Sequence, residues 1–297
     1  MILYDPNAVG SDAPRSFKQL ISRVFSKFLV KLFRLNKGGG FSTEFIQQLN
    51  PVHGIKTGSG KMYCKGGHGR LRWRADTFYT EEPETIKWLD SITKGDYFWD
   101  IGANVGLYSL YVAINAKCRV LAIEPEAQNY SILIENVKLN HLQQYVEATN
   151  IPITKDSGIG KLHVHSLTKG GAYNYFHLKP ESSEVLTGEE GLSPICQLQY
   201  GLSLDKLVDD YKFVCPTHIK IDVDGNEPDI ISGASLILNN KTCKSILIEI
   251  QREKDEYLDS IDKINNSGFR CISEFYNRNS PASRSEHPSV NMIFIRD

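Results

Sequence analysis

From residue 96 onward, short apolar runs alternate with segments of helical period, and this alternation limits the fold more than any single residue does. "DYFWDI", "RVLAIE", "QYVEATNIPI", "THIKIDV" and "SILIEI" read as strands. "LYSLYVAIN", "EAQNYSILIENVKLN", "EPDIISGASLIL" and "KDEYLDSIDKINNSG" read as helices between or after them. Such an order predicts an α/β fold with a mainly parallel sheet covered on both faces. "FRCISEFY" and "VNMIFIRD" close the chain without a helix between them, which predicts an antiparallel pair at one edge.

The turn after the first of these strands is "DIGANVG", residues 100–106. In open α/β sheets ligands sit beyond the carboxyl ends of the strands, which is where this turn falls. The dinucleotide pattern G-x-G-x-x-G fails twice, because Asn104 and Leu107 stand at its second and third glycine positions. No Gly-Lys-Ser/Thr follows, so the turn is not a P-loop. An acid at the strand tip, Asp100, repels pyrophosphate but suits an ammonium group. Backbone N–H groups at the turn can still take a carboxylate. An amino acid head group joined to a nucleoside meets both demands, and S-adenosylmethionine is such a ligand. Glu124 ends the next strand, 18 residues beyond Gly106, where an acid accepts hydrogen bonds from ribose hydroxyls. Asp100, Gly102, Asn104, Gly106 and Glu124 are therefore the candidate cofactor residues. Asn150, at the end of the third strand, is placed near adenine. The bland alternative is that these are turn glycines and helix-capping acids.

"FWDIGANVGLYSLYVA", "VLAIEPEAQNYSILIENVKLN", "LSLDKL" and "HIKIDVDGNEPDIISGA" together resemble the FkbM-type S-adenosylmethionine-dependent methyltransferases. The likeness spans roughly residues 70–297. It implies a Rossmann-like class I methyltransferase fold, a mostly parallel seven-stranded sheet with an antiparallel last strand. It also implies O-methylation, commonly of sugar or natural-product hydroxyls. Asp224 stands where the family often has Glu.

An alcohol needs a general base, or a metal, to become a nucleophile near neutral pH. Asp222 is expected to end the fourth strand, with Asp224 and Glu227 in the turn after it and Glu249 ending the next strand. Asp222, Asp224 and Glu249 are the candidate catalytic carboxylates, and the same three are candidates for a magnesium (Mg2+) site. Glu227 reads as a helix cap. His163 and His165 read as surface or packing residues, and His177 and His287 as minor base candidates. Acceptor recognition is expected from residues 155–200 and 277–289, with Tyr173, Tyr175, Phe176 and Tyr276 offering aromatic faces.

Residues 15–37 carry seven basic and no acidic side chains, with apolar residues at helical spacing, and "GGG" stops the pattern. This basic amphipathic helix either docks on the protein itself or a second subunit, which is the preferred reading, or lies on an anionic membrane surface. The domain reading is then 1–40 for the basic helix, 41–92 for a β-rich or irregular lead-in ending in a helix, and 93–297 for the cofactor domain. An insertion around 155–200 is expected to cover the substrate. Six scattered cysteines without a C-x-x-C pair, and a net charge of -1 with no basic aromatic strip, fit a cytoplasmic protein with reduced thiols and no nucleic-acid partner. Peripheral contact with the inner membrane surface follows only from the membrane reading of residues 15–37. The expected activity is O-methylation of a sugar, glycolipid or related small-molecule or glycan acceptor. N- or carboxyl-methylation is one rival, and a scaffold that keeps the fold without chemistry is another.

Overall fold

The computed structural model describes Val24, Phe25, Lys27 and Phe28, and residues 51–296 apart from 67, 68, 166, 173, 179–194, 253 and 277–288. The chain divides into two units, Met1–Pro51 and Val52–Asp297. In the first, Val24, Phe25, Lys27 and Phe28 lie on helical backbone. The rest of the expected basic helix lies outside the described residues.

The second unit starts with a hairpin, β1 (Val52–Thr57) and β2 (Gly60–Lys65), then α1 (Gly69–Thr77) and α2 (Pro83–Leu89). Next come β3 (Tyr97–Ile101), α3 (Leu107–Asn115), β4 (Arg119–Ile123), α4 (Ala127–Leu139) and β5 (Val146–Thr149). β6 (Gly158–Val164), β7 (Tyr175–His177) and β8 (Ile195–Gly201) follow, then α5 (Leu204–Asp209), β9 (His218–Ile221), α6 (Glu227–Ser232) and α7 (Ser235–Asn239). β10 (Ser245–Ile250), α8 (Asp255–Asn266), β11 (Phe269–Phe275) and β12 (Val290–Arg296) complete it.

Seven strands form one sheet in the order β11-β12-β10-β9-β3-β4-β5. β10, β9, β3, β4 and β5 pair in parallel. β12 runs antiparallel to both of its neighbours, so it is inserted between β10 and β11, and β11 holds the edge. This is the Rossmann-like class I methyltransferase arrangement. The period of two along β3 divides the core. Phe98 packs with Leu110, Val112, Val120 and Leu133 on one face. Tyr97, Trp99 and Ile101 pack with Ile219, Ile221 and Ile230 on the other. Cover on both faces is why β3 reads as an unbroken buried run.

Three expected elements look different in the structure. "GRLRWRADT" falls in a stretch read as β-rich or irregular, but it is helix α1. Arginines at every second position (70, 72, 74) mimic a strand, while Leu71, Ala75 and Phe78 recur at helical spacing and are the buried ones. "EPDIISGASLIL" is two short helices, broken at Gly233, whose Cβ would meet the Thr154 and Lys155 carbonyl oxygens at 2.9 and 2.8 Å. The insertion after β5 is a separate three-stranded antiparallel sheet in the order β7-β6-β8.

Candidate functional site

A cavity of about 660 Å³ opens at the carboxyl ends of β3, β4, β9 and β10, with α1 and residues Gly171, Ala172 and Asn174 also lining it. Gly102 and Gly106 turn the chain from β3 into α3 with φ of 82° and 86°. A Cβ on Gly102 would lie 1.8 Å from the Asp222 carbonyl oxygen, and one on Gly106 would lie 2.3 Å from Leu133 Cδ1. Both positions therefore need glycine for conformation and for space. Asn104 also has positive φ, at 52°.

Glu124 lines the cavity and is nearly buried. It accepts from the Asn104 amide at 2.8 Å and the Glu126 amide at 3.0 Å. Burial pushes it up to about 7 despite those bonds. Asn104 Nδ2 donates to Gly171 O at 2.7 Å, which ties the glycine turn to the loop above it. The amides of residues 102–106 all bond inside the protein, to Ile123 O, Glu124, Asn104 Oδ1 and Ala103 O. The next amides along the chain, those of Leu107 and Tyr108, belong to the first turn of α3, which lines the cavity.

Asp100 is fully buried and is not among the residues lining the cavity. Its Oδ2 accepts from Ser109 Oγ at 2.6 Å. It stands directly opposite Lys220 in the β3–β9 register. Asn150 is exposed and also lies outside the lining.

Asp222, Asp224 and Glu249 all line the cavity. Lys220, buried on the floor, donates from Nζ to Asp222 Oδ2 at 2.6 Å and sits 5.1 Å from the centre of the Tyr108 ring. Burial opposes the charge on Lys220, yet Asp222, Asp100 and Glu82 together hold it above its ordinary value. Burial likewise works against ionised Asp222, and the Lys220 ammonium overrides it, keeping this carboxyl low. Glu249 goes the other way: burial, then Asp222 and Glu227, push it well above the carboxylate range. Its Oε1 accepts from Ser289 Oγ at 2.8 Å. Glu82 is raised by burial and by Asp222, and accepts from Thr85 Oγ1 at 3.0 Å and Tyr108 OH at 3.1 Å. Glu227 holds the β9–α6 turn. It accepts from the amides of Val223 and Gly225, each at 3.0 Å, and from Tyr257 OH at 2.8 Å.

Residues 100–271 match the methyltransferase FkbM domain, more than half of the chain. The chain belongs to the FkbM methyltransferase family. It is also similar to the hexuronic acid methyltransferase AglP of Haloferax volcanii, 22% identical over 187 residues that cover 62% of this chain and 67% of that protein. Among solved structures it is similar to the methyltransferase FkbM from Methylobacillus flagellatus KT, with TM-score 0.45 and 14% identity over 76% of this chain and 53% of that one. It is likewise similar to precorrin-6y C5,15-methyltransferase from Geobacter metallireducens GS-15, with TM-score 0.41 and 13% identity over 72% of this chain and 86% of that one.

An FkbM methyltransferase of this type draws its methyl group from S-adenosylmethionine, and the donor set fits that cofactor. An acid follows β4 on the cavity wall, the first turn of α3 lines it, and the carboxylates of Asp222, Asp224 and Glu249 line the same space. A metal fits less well. Among the described residues no group of three or more His, Cys, Asp or Glu is arranged to hold an ion, and Lys220 already occupies Asp222. Sequence reasoning passed over Lys220, Glu82 and Tyr108. The signal for Lys220 was a lysine inside the apolar run "HIKIDV", since such a charge is buried only when paired. The expected acceptor aromatics are elsewhere. Phe176 is buried in its own small cluster, and Tyr175 stacks on His163 with centroids 4.8 Å apart. Tyr276 is exposed outside the lining, and Tyr173 and His287 lie outside the described residues. Among the described residues, the aromatic ones that line the cavity are Trp73, Phe78 and Tyr108.

Proposed function

We propose that this FkbM methyltransferase transfers a methyl group from S-adenosylmethionine to a hydroxyl of a sugar or sugar-containing acceptor. The observation that carries the reading is the Lys220–Asp222 pair at the cavity floor, beside Glu249. When bound, S-adenosylmethionine supplies the electrophilic methyl group. Glu124 is assigned to the ribose hydroxyls, and the first-turn amides of α3 to the amino acid carboxylate. Asp222, kept ionised by Lys220, takes the proton that the acceptor hydroxyl gives up. Glu249, which burial and the neighbouring Asp222 push well above the carboxylate range, faces the same acceptor as a hydrogen-bonding partner. Asp100 acts from beneath by holding Lys220 rather than by touching the cofactor. The 22% likeness to a hexuronic acid methyltransferase supports a sugar acceptor. Lys220 Nζ sits on Asp222 Oδ2, and among the described residues no three His, Cys, Asp or Glu are arranged to hold an ion, so EDTA should leave the rate unchanged.

The test is transfer of a labelled methyl group to a panel of methyl glycosides, with the product position read by NMR. A new O-methyl signal supports the reading. Transfer only to amines or carboxylates would move the assignment to N- or carboxyl-methylation. Binding of S-adenosylhomocysteine without transfer to any acceptor would favour the scaffold reading.

A further inference from the structure

The cavity is walled by two kinds of chemistry. Its floor and strand ends carry acids, balanced by Lys220. Its α1 wall carries Arg70 and Arg74, four residues apart and so on one helix face, with Trp73 between them. The acids suit a sulfonium and a departing proton. They do not explain two guanidinium groups on the opposite chemistry. Arg74 donates from Nε to Gly170 O at 3.1 Å and makes no ion pair among the described residues. Its charge still reaches the site, since it helps to lower Asp222 and Tyr108. Trp73 is 37% exposed, so its ring is not spent on the core.

We infer that Arg70, Trp73 and Arg74 form the acceptor subsite, and that the acceptor is an anionic sugar whose carboxylate or phosphate is held by the two arginines while its ring lies on Trp73. The inference rests on the proposed sugar methyltransferase reading and narrows it. Guanidinium forks match planar carboxylates and phosphates, and they bind them as charge-assisted pairs. Aromatic faces suit the apolar side of a sugar ring. The amides of Leu107 and Tyr108 are the ones assigned above to the cofactor's carboxylate, which leaves the Arg74 guanidinium, without an ion pair among the described residues, to the acceptor. Anchoring the anion on α1 leaves the sugar's hydroxyls free to meet Asp222 on the floor.

The test is calorimetry on the full-length protein. It is first titrated with S-adenosylhomocysteine, and the saturated complex is then titrated with three probes. The probes are the methyl glycoside of glucuronic acid, glucose 6-phosphate and neutral methyl glucoside. Arg70→Gln and Arg74→Gln are measured alongside, with thermal melts to show that they fold. At least one anionic probe should bind about 10- to 100-fold more tightly than the neutral one, and each variant should lose most of that preference. S-adenosylhomocysteine affinity should not change in the variants. The better of the two anions identifies carboxylate or phosphate as the natural group. Equal binding of neutral and anionic sugars would overturn the inference. So would a loss of S-adenosylhomocysteine affinity with the sugar preference intact, which would assign the arginines to the cofactor. If the wild-type protein does not bind S-adenosylhomocysteine at all, the methyltransferase site assignment fails first, before any sugar is added.

Discussion

The two ends of β9 bury charge in opposite ways. At its amino end His218 Nδ1 lies 2.7 Å from Ser245 Oγ, which also accepts from Trp88 Nε1 at 2.9 Å. Asp96 accepts from Lys244 Nζ at 2.6 Å and from the Thr93 amide at 2.9 Å, and faces His218 Nε2 at 3.5 Å. Burial opposes ionised Asp96, but Lys244 and Thr93 hold it far below the carboxylate range, and burial keeps His218 neutral. Two residues along the strand from His218, Lys220 stands among carboxyls that include Glu82 and Asp100, both raised by burial, with Glu249 also raised nearby. One end is a polar network tied through Ser245, Thr93 and Lys244; the other gathers several raised carboxyls around one buried lysine. A fold keeps unsettled charge where a ligand completes it, and settled charge where only stability is at stake.

The largest test of that contrast is Asp222→Asn. It should lower turnover by about 10²- to 10⁴-fold, with S-adenosylhomocysteine affinity little changed and the melting temperature lowered, because the buried Lys220 ammonium loses its partner charge. Activity near the wild-type level would remove Asp222 from proton transfer. Gly102→Ala comes next. The new Cβ must push the β9–α6 turn away and adopt a left-handed backbone, so urea unfolding should show a loss of about 3 kcal/mol.

At the quiet end, Ser245→Ala leaves Trp88 Nε1 and His218 without their shared partner. It should cost about 1–3 kcal/mol and leave the turnover of folded protein unchanged. A fall in turnover without a fall in stability would erase the distinction between the two ends.

The smallest effect is one of pH. His218 lies below its ordinary value of 6.5 in the folded protein, so the unfolded chain takes its proton first. That contribution to stability is full above about 6.5 and declines as pH falls below it. Glu124 lies at about 7 against an ordinary 4.5, so the folded protein takes that proton first and gains stability as pH falls through this window. His218 and Glu124 oppose each other between pH 7 and 5. His218→Gln should leave the second effect, joined by the other raised carboxyls, so its stability should rise by about 2 kcal/mol or more as pH falls from 7 to 5. The wild-type profile should be flatter.

The strand and helix alternation was legible in the chain, and so was the placing of Gly102, Glu124, Asp222, Asp224 and Glu249 at strand ends on one side of the sheet. Periodicity carries that information, because parallel strands put their carboxyl ends together. Periodicity does not say which face a strand-end side chain takes. Asp100 shares its face with Phe98 and turns beneath the turn that it begins, onto Ser109 and Lys220. The α1 wall was hidden by alternating arginines, and Glu82 by a separation of 140 residues from Asp222 that only the fold closes. Asn150 lies one residue beyond the end of β5 and is exposed.

The most direct test is calorimetric titration of the wild-type protein and Glu124→Ala with S-adenosylhomocysteine at pH 8 and pH 6. The account predicts micromolar or tighter binding at pH 8, on the order of -8 kcal/mol. It predicts about tenfold weaker binding at pH 6, where Glu124 is mostly protonated. Glu124→Ala should bind weakly at both pH values. Binding of wild type and variant with equal affinity, or no binding by either, would contradict the placement of the cofactor at the carboxyl end of the sheet.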